Sequence, residues 1–262
     1  MCLSVESLIY QCLFAVSTKL LPYESIISSM SSTKWDLKEI PSTQSRYVDV
    51  FVAELRAFNE LYVELLKNCD LAFMMPGSGL SASAMAITNG SSTEDSMLTM
   101  PLEKLANISA RINPLLWECI TRVSNRCFVE GFASAKKCTN EGRALMQLDY
   151  QQFLSHLEKI ISVYFECPTD ISGTSTKLAK ALLTAEKEFV EEYVKAYYLT
   201  EAIFLDWIRQ RNEYTSKQIV SLVNCIAGDN RKLKSSLLAA IDANNSVCNT
   251  SIDGNVSNMS IG

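Results

Sequence analysis

A single histidine, His156, limits the acid-base chemistry open to this chain of 262 residues. A Ser-His-Asp or Cys-His site would have to use it as general base, yet it stands in the run SHLEK, on an amphipathic segment with no nucleophile turn nearby. Nine cysteines supply thiols but no C-x-x-C pair. Cys119, Cys127 and Cys138 are 8 and 11 residues apart, where zinc ligand pairs are spaced by about 2–4. They read as reduced thiols, most of them buried. The glycines of Gly77 to Gly79 lack both the third glycine of a dinucleotide loop and the Lys-Ser/Thr of a P-loop. Glu186, Glu188, Glu191 and Glu192 cluster where a helix should start, and carboxylates there complement the helix dipole without forming an acid-base pair. No catalytic, cofactor-binding or metal-binding set is expected, so the chain is read as not an enzyme.

The chemistry that remains is recognition. With 24 basic and 29 acidic residues the net charge is −5, which gives no general attraction to nucleic acid. Lys136, Lys137 and Arg143 make one local basic patch, and Arg231, Lys232 and Lys234 make another. Each could meet an acidic partner or anionic lipid, or could simply be solvated surface. Tyr193, Tyr197, Tyr198, Phe204 and Trp207 are expected in a core, with any ring left exposed serving as an interface anchor.

Helices must position these groups. Long stretches such as Gln44 to Met75 and Asp149 to Cys167 contain neither Gly nor Pro, whereas barrels and sandwiches need turn signals about every 8–12 residues. Residues 1–43 are read as an N-terminal amphipathic helix, with Ile9, Cys12, Leu13, Val16 and Leu20 at helical spacing, followed by a Ser-rich connection from Ser25 to Ile40. Residues 44–244 are read as one helical domain. Its first helix carries the stripe Val48, Phe51, Val52, Leu55, Tyr62, Leu65, Leu66 and Cys69, long enough to require an antiparallel partner. Asn113-Pro114 is expected to end the following helix, and Gly131 and Gly142 bracket either a kink or a turn. Thr184, Thr200, Thr215 or Ser216, and Asn230 are the expected caps of four shorter helices, with Gly228 closing the third. Segments 76–100 and 166–175 lack periodicity and read as flexible insertions, and 245–262 as a disordered tail. The fold class is all-α, an antiparallel helical bundle or rod.

The runs FVEGFASAKKCTNEGRALMQLDYQQFLSHLEKI (Phe128 to Ile160), EFVEEYVKAYYLTE (Glu188 to Glu201) and LLAAID (Leu237 to Asp242) resemble the C-terminal domain of the syndetin family, with weaker similarity back to Tyr47. The family contributes the specific subunit of the endosome-associated recycling protein complex, a multisubunit tether. The resemblance implies helical-rod architecture, other tethering-complex subunits and SNARE proteins as partners, peripheral contact with recycling endosomes or trans-Golgi membranes from the cytoplasm, and a role in endocytic recycling and membrane fusion. The alternative is a peripheral lipid-binding helical module without tether assembly. Leu145, Leu148 and Leu154 suffice for the buried stripe of the central motif, yet the resemblance also runs through polar positions. Lys136, Lys137, Asn140, Glu141, Arg143, Gln147 and Asp149 are therefore the candidate partner-binding surface. The competing account is that Asn140, Arg143 and Asp149 cap and brace neighbouring helices.

Overall fold

Helical periodicity is realised across the described residues. The structure, a computed structural model, describes residues 5–74, 102–162, 184, 186–228, 230–239 and 241. Every regular element among them is α-helical: α1 (Val5–Leu20), α2 (Tyr23–Ser32), α3 (Arg46–Met74), α4 (Leu102–Ala133), α5 (Asn140–Ser162), α6 (Lys187–Ala196), α7 (Glu201–Gln210) and α8 (Ser216–Ala227). Residues 231–239 and 241 are helical as well. The segments read as insertions, 76–100 and 166–175, and the tail 245–262 lie outside the described residues, as does the Gly77 to Gly79 run. The chain divides into two compact units: Met1–Leu21 with Phe51–Thr121 and His156–Leu183, and Pro22–Val50 with Arg122–Ser155 and Thr184–Gly262.

In the first unit the stripe of α3 buries Phe51, Val52 and Leu55, while α4 contributes Leu116, Trp117, Cys119 and Ile120 and α5 contributes Leu157, Ile160 and Ile161. Phe58 meets Trp117 edge-on at 5.9 Å between ring centroids, and the Tyr62 hydroxyl donates to the Asn113 side chain. Ascending α3 thus descends α4, the antiparallel pairing that a long stripe requires. Leu65, placed in the stripe by its spacing, is 62% exposed, and the side chains of Leu66 and Cys69 lie outside the described residues. Pro114 does not end a helix; it lies inside α4. The proline removes one backbone hydrogen bond, but the Trp117 and Asn113 contacts on either side of it hold the helix together.

The second unit is built around Phe128, whose ring contacts those of Tyr47, Phe132, Tyr150 and Phe153 at 4.8–6.3 Å. Here α2 replaces the expected connection. Ile26 and Met30, one turn apart, are both buried, and Gly131 allows the approach, since a Cβ there would stand 2.2 Å from the Met30 sulfur. Ser-rich composition hid a helix whose apolar face is only two residues wide.

The bracket of Gly131 and Gly142 resolves as a turn: α4 ends at Ala133 and α5 begins at Asn140. By contrast, α6 and α8 run parallel to the end of α4. Glu130 meets Lys217 and Gln218, Ala133 accepts from Ser221, and Ala135 accepts from Cys225, so both chains ascend together. Tyr197 likewise donates to the Phe132 carbonyl. The aromatic set packs as expected at Tyr193, Tyr197, Phe204 and Trp207, but Ile203 is turned out and 55% exposed.

Caps vary in kind. Glu186, not Thr184, precedes α6, in a left-handed conformation (φ 58°) with no side-chain cap bond. Thr200 precedes α7 but makes no side-chain cap bond. Asn230 Oδ1 accepts from the Leu233 amide, and Gly228 closes α8 at φ +50°. Thr215 and Gln218 form a full capping box on α8. Replacing Thr215 by Ala is expected to cost about 1 kcal/mol and to lower the melting temperature by about 2–4 °C, measured by thermal unfolding followed by circular dichroism.

Candidate partner-binding surface

The polar residues of the central motif divide into two sets, and α5 shows why. Thr139 stands just before the helix, where its hydroxyl oxygen accepts from the Gly142 amide at 3.2 Å and caps the first turn. The same hydroxyl donates to the Leu37 carbonyl at 2.8 Å and accepts from the Leu37 amide at 3.1 Å, while the Thr139 amide donates to the Trp35 carbonyl. The segment between α2 and α3, residues 33–45, is thereby tied across the start of α5 as a strap. Gly142 is what lets it lie so close. A Cβ at this position would stand 1.9 Å from the Trp35 carbonyl oxygen.

Seven residues beyond Gly142, and so on the same helix face, Asp149 fixes the other end of the strap. It is fully buried and accepts from the Ser45 amide at 2.7 Å and the Tyr47 hydroxyl at 2.6 Å. Burial pushes its carboxyl above the ordinary value of 3.8, an effect that the two hydrogen bonds oppose. Tyr47 is itself pushed well up by burial and by the adjacent carboxylate, so it stays a donor. Beside them the Tyr150 hydroxyl donates to the buried Asn125 side chain at 3.0 Å.

The remaining candidate positions face outward. Lys136, Lys137, Asn140 and Gln147 are exposed, and Glu141 and Arg143 are half-buried. The Arg143 guanidinium lies 5.3 Å from the ring centre of Tyr197 and 5.2 Å from that of Tyr198, and donates to the Asn140 side chain at 3.3 Å. Tyr198 is 47% exposed, the ring that the core does not absorb. Gln147 borders a cleft with Tyr150, Gln151, Glu191, Val194 and Lys195 of about 180 Å³, below the size at which a small-molecule site begins, about 300 Å³. These positions form a polar, solvent-facing surface. Asp149, in contrast, is a brace.

The groups with catalytic potential are occupied elsewhere. His156 Nδ1 lies 3.3 Å from an Arg56 nitrogen, and since a guanidinium can only donate, the imidazole is an acceptor there. Glu186 pairs with Arg122 and Arg126, Glu191 with Lys187, and Glu192 with Lys195 and Arg211. Burial pushes the Cys127 and Cys138 thiols up to about 12, which keeps them protonated and poor as ligands. Among the described residues no group of three or more His, Cys, Asp or Glu side chains could hold a metal, and no helix is long and apolar enough to cross a membrane.

Sequence reasoning missed Thr139, Gly142, Ser45 and Tyr47 as functional partners of the motif. A Thr three residues before a Gly, at the start of a helical stripe, signals the cap. Nothing in the spacing signals the strap, whose bonds join residues 102–104 positions apart.

Fold and site together define an all-α chain whose polar motif braces helices around one exposed cationic turn. Residues 91–242 match the family described as the C-terminal domain of syndetin, and the chain belongs to that family. It is 38% identical over 229 residues to the syndetins of Rattus norvegicus and Mus musculus and 36% identical over the same length to that of Gallus gallus. The match takes in 87% of this chain and 18% of each relative, so the chain spans less than a fifth of their length. No solved structure matches it significantly.

Two variants test the brace. Gly142→Ala forces the strap off the helix and is expected to cost about 2–3 kcal/mol, within the range for strained or overpacked sites, in denaturant unfolding. Asp149→Ala strands the buried Tyr47 hydroxyl, at a cost of about 1–3 kcal/mol, and also releases the half-buried Ser45 amide, so it should destabilise by about as much. The raised carboxyl also sets a pH dependence. Between 3.8 and its higher folded value the native chain retains a proton that the unfolded chain has released. Its contribution to stability is complete below that window and is lost as pH rises through it. The melting temperature of the wild-type chain minus that of Asp149→Asn should therefore decline across the carboxylate range.

Proposed function

We propose that the chain is a non-enzymatic subunit, or a fragment of one, of an endosomal vesicle-tethering complex acting in endocytic recycling and SNARE-dependent membrane fusion. It works in the cytoplasm, peripherally on recycling endosomes or trans-Golgi membranes, and its partners are other subunits of the endosome-associated recycling protein complex and SNARE proteins. Membership in the syndetin family carries this reading. It is supported by a surface in which acidic, imidazole and thiol groups are used in pairing and packing, while Lys136, Lys137, Asn140, Glu141, Arg143 and Gln147 remain open to a partner at one turn.

A second reading rests on α1, which leaves Leu8, Ile9, Val16 and Leu20 exposed. Such a face suits insertion into a lipid interface, making the chain a peripheral lipid-binding module. Its weak point is charge, because Lys19 is the only basic residue of the helix.

Affinity capture from cytosol with the full chain, read by mass spectrometry, distinguishes the two. Recovery of the other tether subunits or of SNARE proteins is expected. Failure to recover any of them, combined with flotation of the chain on anionic vesicles that Leu8→Ser with Val16→Ser abolishes, would establish the lipid-binding reading instead.

A further inference from the structure

We propose that the cationic turn between α4 and α5 docks an acidic peptide segment of a protein partner, with Arg143 as the anchor. The inference rests on the reading of this surface as a partner contact and adds the chemistry of what binds there.

Pairing sets the turn apart within the stretch from α4 to α8, although Lys34, Lys38, Arg46, Arg231, Lys232 and Lys234 of the same unit also meet no carboxylate among the described residues. From Arg122 to Lys217 the second unit holds ten lysines and arginines. Seven of them meet a carboxylate within 4.0 Å, as Arg211 does with Glu192 and Glu213. Lys136, Lys137 and Arg143 meet none among the described residues, and they are the three that share one turn. In a chain of net charge −5 a cluster of unpaired cations stands against the prevailing field.

Arg143 is also preorganised. The rings of Tyr197 and Tyr198 flank its guanidinium, the Cys138 thiol interacts with it, and its Nε is shielded from water with no oxygen acceptor among the described residues. Its Nη1 end reaches the exposed Asn140 side chain, so the outward edge of the fork is the part available to a ligand. A planar fork held in place favours a carboxylate taken bidentately. Tyr198 adds an apolar ledge beside it, and the start of α5 contributes its positive dipole end.

An acidic peptide fits better than a membrane. Asp36 is close enough to Cys138, and Glu141 to Tyr198, for their charges to be felt there. A flat anionic surface would meet these acids along with the cations, at separations inside the screening length of about 10 Å. A peptide can place carboxylates on the cations one at a time.

The test is a titration of the full chain with a fluorescein-labelled octaglutamate peptide, read by anisotropy. Binding is expected, and it should weaken with added salt. Lys136→Glu with Lys137→Glu should weaken it by at least about tenfold at an unchanged melting temperature. Arg143→Lys, which keeps the charge but loses the fork, should cost about three- to tenfold. Arg231→Glu with Lys232→Glu, a reversal at the other exposed basic run, should leave affinity within about twofold. The proposal is overturned if wild-type chain does not bind, or if the control reversal weakens binding as much as the first pair. It is equally overturned if phosphatidylserine vesicles bind through Lys136 and Lys137 while octaglutamate does not. Because the titration needs no tether subunit, its failure removes the docking chemistry alone, and failure to recover tether subunits from cytosol removes only the function proposed above.

Discussion

The strap across α5 depends on one buried carboxylate. The fully buried Asp149 accepts from the buried Tyr47 hydroxyl and the half-buried Ser45 amide, and a charge in such a place would be prohibitively costly without partners. That requirement fixes where the strap enters α3. With Ser45 held, Tyr47 turns its ring onto Phe128 and Trp35, and Trp35 in turn meets Phe132. The aromatic centre of the second unit is thus aligned by a polar contact at its edge. Thr139 and Gly142 secure the opposite end of the same strap.

Much of the architecture was legible from periodicity alone. The stripe Val48, Phe51, Val52 and Leu55 is buried as its spacing requires, and the Thr215 capping box and Gly228 stop fall where the residue types place them. The misreadings share a physical origin: each is a local signal outweighed by tertiary packing. Pro114 breaks a helix in isolation but not one clasped by Phe58 and Tyr62. A serine-rich segment reads as a connection until Ile26 and Met30 find α4. Glu186 takes the place of a proper cap because two arginines reward its position.

The candidate surface was legible only in part, for the same reason. A polar residue in a motif carries no local mark of whether its partner is within the chain or outside it. Asp149 and Lys136 look equally surplus to the apolar stripe, yet one is fully buried and the other exposed. Distinguishing them requires knowing that Ser45 and Tyr47 arrive from about a hundred residues away. Within the chain, the polar part of the motif is largely explained by that arrival. At the exposed turn, Lys136, Lys137 and Asn140 stay open to solvent.

The distance along the chain has a further consequence, during synthesis. Leu37 and Thr139 are separated by 102 residues, and a ribosome adding about 5–20 residues per second needs roughly 5–20 s to make the second after the first. Through that interval Ile26, Met30 and Trp35, all buried in the finished molecule, have emerged with nothing to bury them. Loop closure grows only logarithmically in cost with length, so the final docking is thermodynamically tolerant of the long intervening chain. Kinetically it is not: the nascent N-terminal segment carries a tryptophan and a short apolar helix face that have no packing partner before α4 and α5 exist. The strap and α2 can therefore reach their native packing only after α4 and α5 have been made.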